Sequence, residues 1–359
     1  MSKIDANIII KEKQNSIDGF NNNYILFQIK GKDINYIICN TIRRTILTLV
    51  PSYAFDPDNI IIEKNTSVYN NDYMRLRLSN MPIINQTYKK DKMIIKNDDS
   101  ILEEVLELEI EANTSNFENK NILTKEEEEK KKEYRTKLLN NLNLNISAKN
   151  ESSSIMSITT DNIKFSINNK DIKSIYPNPI LIIKLKPEQP LVHIQGEEFR
   201  ATCIASLNIP LKNAIYSSCN ICSYDEIDTN TFEFKLSSMR QISEETIVIH
   251  ACKIIIIKLE KLKEKIINAI KLQNNEQALI EAKLIISNEN HTLGNLLTRI
   301  IQEHPDIIFC GYNIDHLYVN ELTLRYKTNG KNIIDIIDKS INYLISLYKH
   351  LILQIEKLL

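Results

Sequence analysis

Glycine is scarce in this chain, with six residues in 359, at positions 19, 31, 196, 294, 311 and 330. No two of them stand at G-x-G or Walker spacing, which excludes the usual glycine loops that cradle phosphates. Neither G-x-S-x-G nor H-E-x-x-H occurs, and no D-x-D-G-D cluster is available to hold paired magnesium ions. Cysteine is equally thin. Six are scattered at 39, 203, 219, 222, 252 and 310, which is no disulfide framework for a chain of this size. Cys219 and Cys222 form a C-x-x-C, but no second pair lies near to complete a zinc site, and their setting is not thioredoxin-like. Neither sign of charge dominates. With 45 Lys and Arg against 46 Asp and Glu the net charge is -1, so no global field draws the chain to nucleic acid.

Long apolar runs are missing too. None reaches the roughly 18 residues that a membrane helix needs, and the longest candidate, IVIHACKIIIIKL at 247–259, is broken by His250 and Lys253. The N-terminus, MSKIDANIII, lacks a signal-peptide layout. These absences lead to the expectation of a soluble intracellular protein with no metal, no cofactor and no self-contained active site. The 359 residues suffice for two or three domains with real cores.

What is present is patterning. Residues 5–12 and 24–30 (YILFQIK) read as strands rich in Ile and Phe. KDINYIICNTIRRTILTLVP follows. Asp33 is the expected N-cap and Pro51 the stop, with Ile38, Ile42, Ile46 and Leu49 on one face of a helix over 34–49. A Pro-Asp turn, an Ile-rich strand over 59–63 and a short helix over 72–78 come next. The region up to residue 225 reads as strands with loops, among them LEEVLELEIEA (102–112), LNLNIS (142–147) and PILIIKLKP (179–187). A charged insertion over 123–141 suits a solvated helix or loop. TFEFKL (231–236) alternates as a strand, and Ser243 then caps a long helix with Glu244 and Glu245 at its positive end. Its Val248, Cys252, Ile255, Leu259, Leu262, Ile266 and Ala269 step by four and three, a heptad seam made to pack along another long helix.

After a short break at LQNNEQ (272–277) the plan repeats in miniature. ALIEAKLIIS (278–287) is a strand, NENHTLGNLLTRIIQEHP (288–305) a capped helix, and DIIFCGYNI and NELTLRYKTNG are strands. A final helix over 332–358 carries Ile337, Ile341, Leu344, Tyr348, Leu351, Ile355 and Leu358 at the same heptad steps. The first helices of the two segments also echo each other, NTIRRTILTLVP against HTLGNLLTRIIQEHP. Two segments with matched seams should bury them against each other as a pseudo-two-fold pair.

The motifs now resemble a known family. NTIRRTI (Asn40–Ile46), VPSYAFD (Val50–Asp56) and EKNTSV (Glu63–Val68) resemble the first helix, turn and strand end of the third-largest subunit of eukaryotic and archaeal RNA polymerases, and are similar to the bacterial alpha-subunit. Residues 180–207 look like that family's second-domain segment, and HTLGN with F-x-G-Y-x-x-x-H resembles the eleventh-type subunit, the small partner of the third. The motifs span nearly the whole chain in the expected order. The chain is thus similar to a fused third-plus-eleventh-type subunit, as in large cytoplasmic DNA viruses of the African swine fever type. Two departures stand out: the several-cysteine zinc loop of cellular third subunits is reduced to Cys219 and Cys222, and the separate DNA-binding domain of the bacterial alpha-subunit has no counterpart.

The resemblance implies an α+β fold. Two alpha-subunit-like dimerisation modules, each a mixed sheet with long heptad helices, pair as a pseudo-dimer around a mainly β inserted domain. The expected division is 1–57 with 226–272 for the third-type module, 58–225 for the insertion, 273–277 for a linker and 278–359 for the eleventh-type module. It implies a non-catalytic platform for the two largest polymerase subunits, the second-largest above all, together with small tenth-type and twelfth-type subunits. DNA and RNA would be met only through the complex, no membrane is involved, and the location is the host cytoplasm and the virion.

Candidate interface residues carried over from the motifs are Asn40, Arg43, Arg44, Glu63, Asn65, Thr66 and Ser67. Arg43 and Arg44 are adjacent on a helix and point about 100° apart, so at least one leaves the apolar face; a solvated surface arginine is the alternative reading. The internal pairing helices are expected to use Ile38, Ile42, Ile46, Ile255, Leu259, Leu262, Leu293, Gly294, Leu297, Ile341, Leu344 and Leu351. His291 has no second ligand near it in sequence and reads as helix punctuation, with Thr292 or Asn290 as cap. Gly294 costs about 1 kcal/mol against Ala inside a helix, which points to close approach by a neighbour, expected to be the other segment. A generic helical pairing adaptor unrelated to transcription explains the seams, but not NTIRRTI, EKNTSV and HTLGN in order. A nucleic-acid-binding module lacks a basic stripe with interleaved aromatics.

Overall fold

The computed structural model describes residues 4–14, 23–84, 100–116, 139–167, 170–172, 174–188, 195–272, 280–314 and 321–358. Most of the charged stretch (123–138) and the expected linker (273–277) lie outside them. In chain order, strands β1 (Asn7–Gln14) and β2 (Tyr24–Lys30) lead into helix α1 (Tyr36–Thr48), strand β3 (Ser52–Asn65) and helices α2 (Asn71–Ser79) and α3 (Ser100–Asn116). Six strands follow: β4 (Leu139–Lys149), β5 (Met156–Thr159), β6 (Lys164–Ile167), β7 (Lys170–Ile172), β8 (Leu181–Leu185) and β9 (Glu198–Asn208). Strands β10 (Cys219–Asp228) and β11 (Thr231–Ser238) then precede the long helix α4 (Glu244–Leu272). The last segment holds β12 (Glu281–Ser287), α5 (His291–Gln302), β13 (Ile307–Asn313), β14 (Glu321–Thr328) and α6 (Ile333–Glu356).

The strands pair antiparallel. A four-stranded sheet runs β1-β2-β11-β10, a five-stranded sheet β3-β9-β4-β6-β7, and a three-stranded sheet β12-β14-β13, with β5 and β8 paired apart. One apolar core is shared by the four-stranded sheet, the three-stranded sheet, α1, α3, α4, α5 and α6. A second core lies under the five-stranded sheet, where Phe55, Met74, Leu144, Phe165 and Phe199 meet. Tyr53 packs against both. The expected boundaries at 57/58 and 225/226 therefore fall inside β3 and inside β10, which belongs to the four-stranded sheet.

Local chemistry accounts for the elements. Asn35, not Asp33, caps α1, its side chain accepting from the Ile37 and Ile38 N–H groups at 3.0 Å each. Asp33 instead accepts from the Asp5 N–H at 2.7 Å and so ties the chain start to the α1 entrance. The Pro-Asp turn and separate 59–63 strand expected from sequence are one continuous strand. Pro57 sits where the β3 register shifts between Phe55 and Ile60, a bulge that spares the missing N–H.

The strand expected over 102–112 is instead the middle of α3. The alternation of LELEIE misleads because it covers only a few residues. Leu102, Val105, Leu108 and Ala112 are the buried set, which is helical spacing, while Ile110 points outward at 44% exposure.

The long helices carry the seam. On α4, Val248, Cys252, Ile255, Leu259, Leu262 and Ile266 are buried, and Ala269 packs on the core edge. Ile247, Ile249, Ala251, Ile254 and Ile256 are buried as well, so the first half of α4 is enclosed all round and is the axis of the core. On α6, Ile337, Ile341, Leu344, Tyr348, Leu351 and Ile355 are buried. Leu358 falls off the seam, because α6 ends at Glu356, and is 45% exposed.

Candidate subunit interface

Helices α4 and α6 pack along each other and run antiparallel. Lys263 of α4 meets Asp338 and Asn342 near the start of α6, while Glu245 and Val248 line the same small cavity as Ile355 and Leu358. Helix α1 packs on both α4 and α5. A contact between α1 and α5 joins the echoing motifs directly, with Arg44 Nε donating to Thr292 Oγ1 at 2.7 Å. At the far end of α6, the His350 ring nitrogen Nε2 lies 2.9 Å from the Ala6 carbonyl oxygen beside β1. The last segment is thus seated on the first through α4, α1 and the edge of the four-stranded sheet.

The pairing residues expected from sequence fall inside this arrangement. Ile38, Ile42, Ile46, Ile255, Leu259, Leu262, Leu293, Leu297, Ile341, Leu344 and Leu351 are all buried in the one shared core. Gly294 is buried too, but its neighbours correct the reading of it. A Cβ there would lie 2.4 Å from Leu322 Cδ1 and 2.8 Å from Tyr312 Cδ2, both in the segment's own sheet. The close approach is real, and it seats α5 on β13 and β14 rather than on the first segment. Asn290 caps α5 by accepting from the Thr292 N–H at 2.9 Å, which leaves the Thr292 hydroxyl to accept from Arg44. His291 is exposed, with its ring edge against Tyr312 at 5.8 Å between centroids.

The outward candidates divide into two groups. Arg43 is half-buried and folds back on its own helix, donating to Asn40 Oδ1 from Nε at 3.1 Å and from Nη2 at 2.8 Å. Arg44 is the exposed one. The EKNTSV turn is tightly built. Asn65 Oδ1 accepts from Ser67 N–H and Oγ, while its amide donates to the Tyr69 carbonyl and to Asn71. Thr66 exchanges hydrogen bonds with the Glu198 backbone. Beside exposed Glu63, Lys64 and Thr66, this turn and the helix after it present apolar side chains. Val68 is 66% exposed, Tyr69 and Tyr73 stack at 5.0 Å, and Leu76 is 60% exposed. Asp56 of the VPSYAFD turn has a structural task, accepting from the buried Tyr216 hydroxyl at 2.6 Å.

Sequence reasoning missed the ionic centre of the core. Lys258 on α4 has both Glu109 carboxylate oxygens at 2.7 Å and a Glu289 oxygen at 3.4 Å. Burial opposes its charge, but Glu109 and Glu289 outweigh that and hold its pKa above the usual lysine value. Burial raises the Glu289 carboxyl, with Lys258 opposing and Glu109 adding to the lift. The available signal was a lysine set among buried isoleucines, one residue before a seam leucine. The cysteines offer no chemistry of their own. Cys219 and Cys222 are buried, and burial pushes their thiols up to about 11 and about 12. Among the described residues no group of three or more His, Cys, Asp or Glu is arranged to hold a metal, and no helix is long and apolar enough to cross a membrane.

Comparison with known proteins meets this geometry at the last segment. Residues 281–354 match the RNA polymerase Rpb3/Rpb11 dimerisation domain. A putative DNA-directed RNA polymerase subunit of Acanthamoeba polyphaga mimivirus is 26% identical over 333 residues, covering 90% of this chain and 88% of that one. Subunit RPAC2 of DNA-directed RNA polymerases I and III from Drosophila melanogaster is 38% identical over 73 residues, 20% of this chain and 70% of that one. The DNA-directed RNA polymerase RPB3-11 homolog of African swine fever virus is 30% identical over 118 residues, 31% of this chain and 33% of that one. The class common to these relatives is that of subunits of DNA-directed RNA polymerases. Within it the chain belongs to the Rpb3/Rpb11 family, as a fused subunit of the viral type.

Proposed function

We propose that the chain is the non-catalytic assembly platform of a multisubunit DNA-directed RNA polymerase in infected cells. The observation that carries this reading is the internal pairing. A segment matching a dimerisation domain is seated, by α4 against α6 and α1 against α5, on the rest of the same chain. Separate subunits would lose translational and rotational freedom on pairing, a cost of several kcal/mol. Joining them makes that step intramolecular, at an effective concentration on the order of mM. In this reading β1, β2, β10, β11, α1 and α4 form the third-type module and the last segment the eleventh-type module. The two are related by a pseudo-two-fold axis, and the five-stranded sheet belongs to the insertion.

The partners proposed are the two largest subunits, with the second-largest meeting Arg44 and the surface from Glu63 to Leu76, and the small tenth-type and twelfth-type subunits. Nucleic acid is reached only through the complex, which works in the host cytoplasm and is packaged in the virion. Affinity purification of the tagged chain from infected cells tests the platform role. Recovery of two very large polymerase subunits with the small ones is expected, and recovery of the chain without them would overturn it. Arg43→Ala with Arg44→Ala is expected to weaken capture of the second-largest subunit and leave the fold intact; unchanged capture removes that contact. A protease site placed at 273–277 tests the value of fusion. If the cut halves are monomeric when dilute and still assemble fully, intramolecular pairing is unimportant.

A further inference from the structure

A heptad seam is self-similar along its axis. Sliding one helix past the other by one heptad, about 10 Å, again sets apolar residues against apolar residues, so the repeat alone leaves axial register weakly specified. The α4–α6 seam is largely aliphatic, with Leu259, Leu262 and Ile266 on one side and Ile337, Ile341 and Leu344 on the other, and only Cys252 and Tyr348 break the repeat. Among the described residues the strands of the last segment pair only with one another.

Besides the partly exposed Lys263–Asp338 pair, one deeply buried charged cluster distinguishes the steps. Lys258 lies midway along α4, its side chain only 5% exposed, and its two carboxylate partners come from two other parts of the chain. Glu109 is supplied by α3, and Glu289 by the turn that enters α5. Both carboxylate side chains are as buried as the lysine, at 5% and 6% exposure. Lys265, two turns further along α4 and half-exposed, lies 3.7 Å from the other Glu289 oxygen. A cavity of about 80 Å³ adjoins the cluster, between α1 and the start of α5, with Arg44 and Thr292 on its wall.

We propose that Lys258 is the register pin of the internal pair and the docking point of α3. A one-heptad slip would carry Glu289 away from Lys258 and Lys265 and leave a buried carboxylate without a cation. Breaking a buried pair in this way is strongly destabilising, whereas replacing the whole cluster by neutral groups is often close to neutral. The cluster therefore discriminates between registers more than it stabilises the correct one. Because α3 contributes the closer carboxylate, its seat is complete only when the last segment encloses the lysine. Away from that enclosure the Glu109–Lys258 pair would be a solvent-exposed one, which is weak. This goes beyond the platform role and does not depend on which partners the platform serves.

The test uses the full chain with Lys263→Cys and Asp338→Cys, positions in contact across the seam. Crosslinking of this pair by a short bismaleimide, which spans the gap left by the two truncated side chains, reports native register, since the native cysteines are buried. With Lys258 present, near-complete crosslinking is expected. In Lys258→Met/Glu109→Gln/Glu289→Gln the chain is expected to fold, to lose at least half of the crosslink, and to lose hydrogen-exchange protection in α3. Lys258→Met alone leaves two carboxylates buried and is expected to unfold at a clearly lower denaturant concentration than the triple variant. Full crosslinking in the triple variant overturns the proposal, because the aliphatic surface would then set register unaided. A triple variant that does not fold overturns it as well, because the cluster would then be a stability element.

Discussion

Gly294→Ala measures how α5 is seated. In an ordinary helix interior the change is favourable by about 1 kcal/mol, because alanine has less backbone freedom to lose. Here the new methyl would lie 2.4 Å from Leu322 Cδ1 and 2.8 Å from Tyr312 Cδ2. Apolar carbons rest about 3.5–4.0 Å apart, so Leu322 has to retreat by about 1 Å. It is 2% exposed and has little room, whereas Tyr312 is partly buried and its ring can turn aside. Overpacking of this kind costs about 1–3 kcal/mol, so the net effect is a loss on the order of 1 kcal/mol. Leu322→Ala alone should cost about 2–5 kcal/mol through the cavity it leaves. In that background only the Tyr312 ring, which can turn aside, still crowds the added methyl, and the methyl fills vacated space, so Gly294→Ala should become stabilising by up to about 1 kcal/mol. The sign of the glycine substitution is thus predicted to invert. Native-state hydrogen exchange of amides in α5, β13 and β14 reads this locally, without assuming that a chain with two cores unfolds in one step. Equal effects in both backgrounds, with a coupling below about 0.5 kcal/mol, would refute the close-approach argument.

Tyr216→Phe removes a donor from Asp56 and a partner from Ser206, both near the junction of the two cores, and should cost about 1–3 kcal/mol; thermal unfolding of the full chain checks it, and an unchanged midpoint would mean water replaces the hydroxyl freely. All six thiols are buried, with Cys203, Cys252 and Cys310 pushed up to about 12, so alkylation of the native chain at about pH 8 should leave the mass unchanged while the unfolded chain takes six adducts. Glu289 has a raised pKa, so the folded chain holds that proton more tightly than the unfolded chain; its ionised form costs stability at neutral pH, and the cost fades as pH falls through the folded value. Glu289→Gln should therefore keep or raise the neutral-pH denaturation midpoint and flatten its acid-side pH dependence, whereas Glu109→Gln, which removes the closer partner of Lys258, should lower the midpoint.

Periodicity carried the helices because their burial is one-sided over many turns. The seam positions from Val248 to Ile266 and from Ile337 to Ile355 were legible for that reason, and so was the face of α1. Short windows failed where a longer one decides. Six alternating residues of α3 look like a strand, and only the set Leu102, Val105, Leu108 and Ala112 identifies the helix. The cap of α1 moved from Asp33 to Asn35 because both are capping residues and tertiary contact chose between them, Asp33 being engaged by the Asp5 backbone. The interface motifs could be read as letters but not as surfaces. Nothing in RR says that Arg43 bends back to Asn40 while Arg44 crosses to Thr292, nor does EKNTSV announce that Asn65 and Ser67 satisfy each other, that Thr66 pairs with Glu198, and that Val68 and two tyrosines face outward.

The same reasoning explains why the ionic centre escaped the sequence. A charge is expected at the surface, and a lysine next to a seam leucine is one faint signal in a helix that holds several lysines. Its meaning comes from residues 149 and 31 positions away in sequence. A repeat of aliphatic residues can specify that two helices pair, because burial is non-directional and rewards any match. It cannot specify which match, and a fused chain cannot discard a misregistered partner and try another. Discrimination then has to come from a group whose misplacement is costly, and a buried ammonium held by carboxylates from two other elements meets that need. The part of the pair that is legible as a repeat and the part that is invisible to periodicity thus do different work: the repeat supplies the driving force, and Lys258 selects the register.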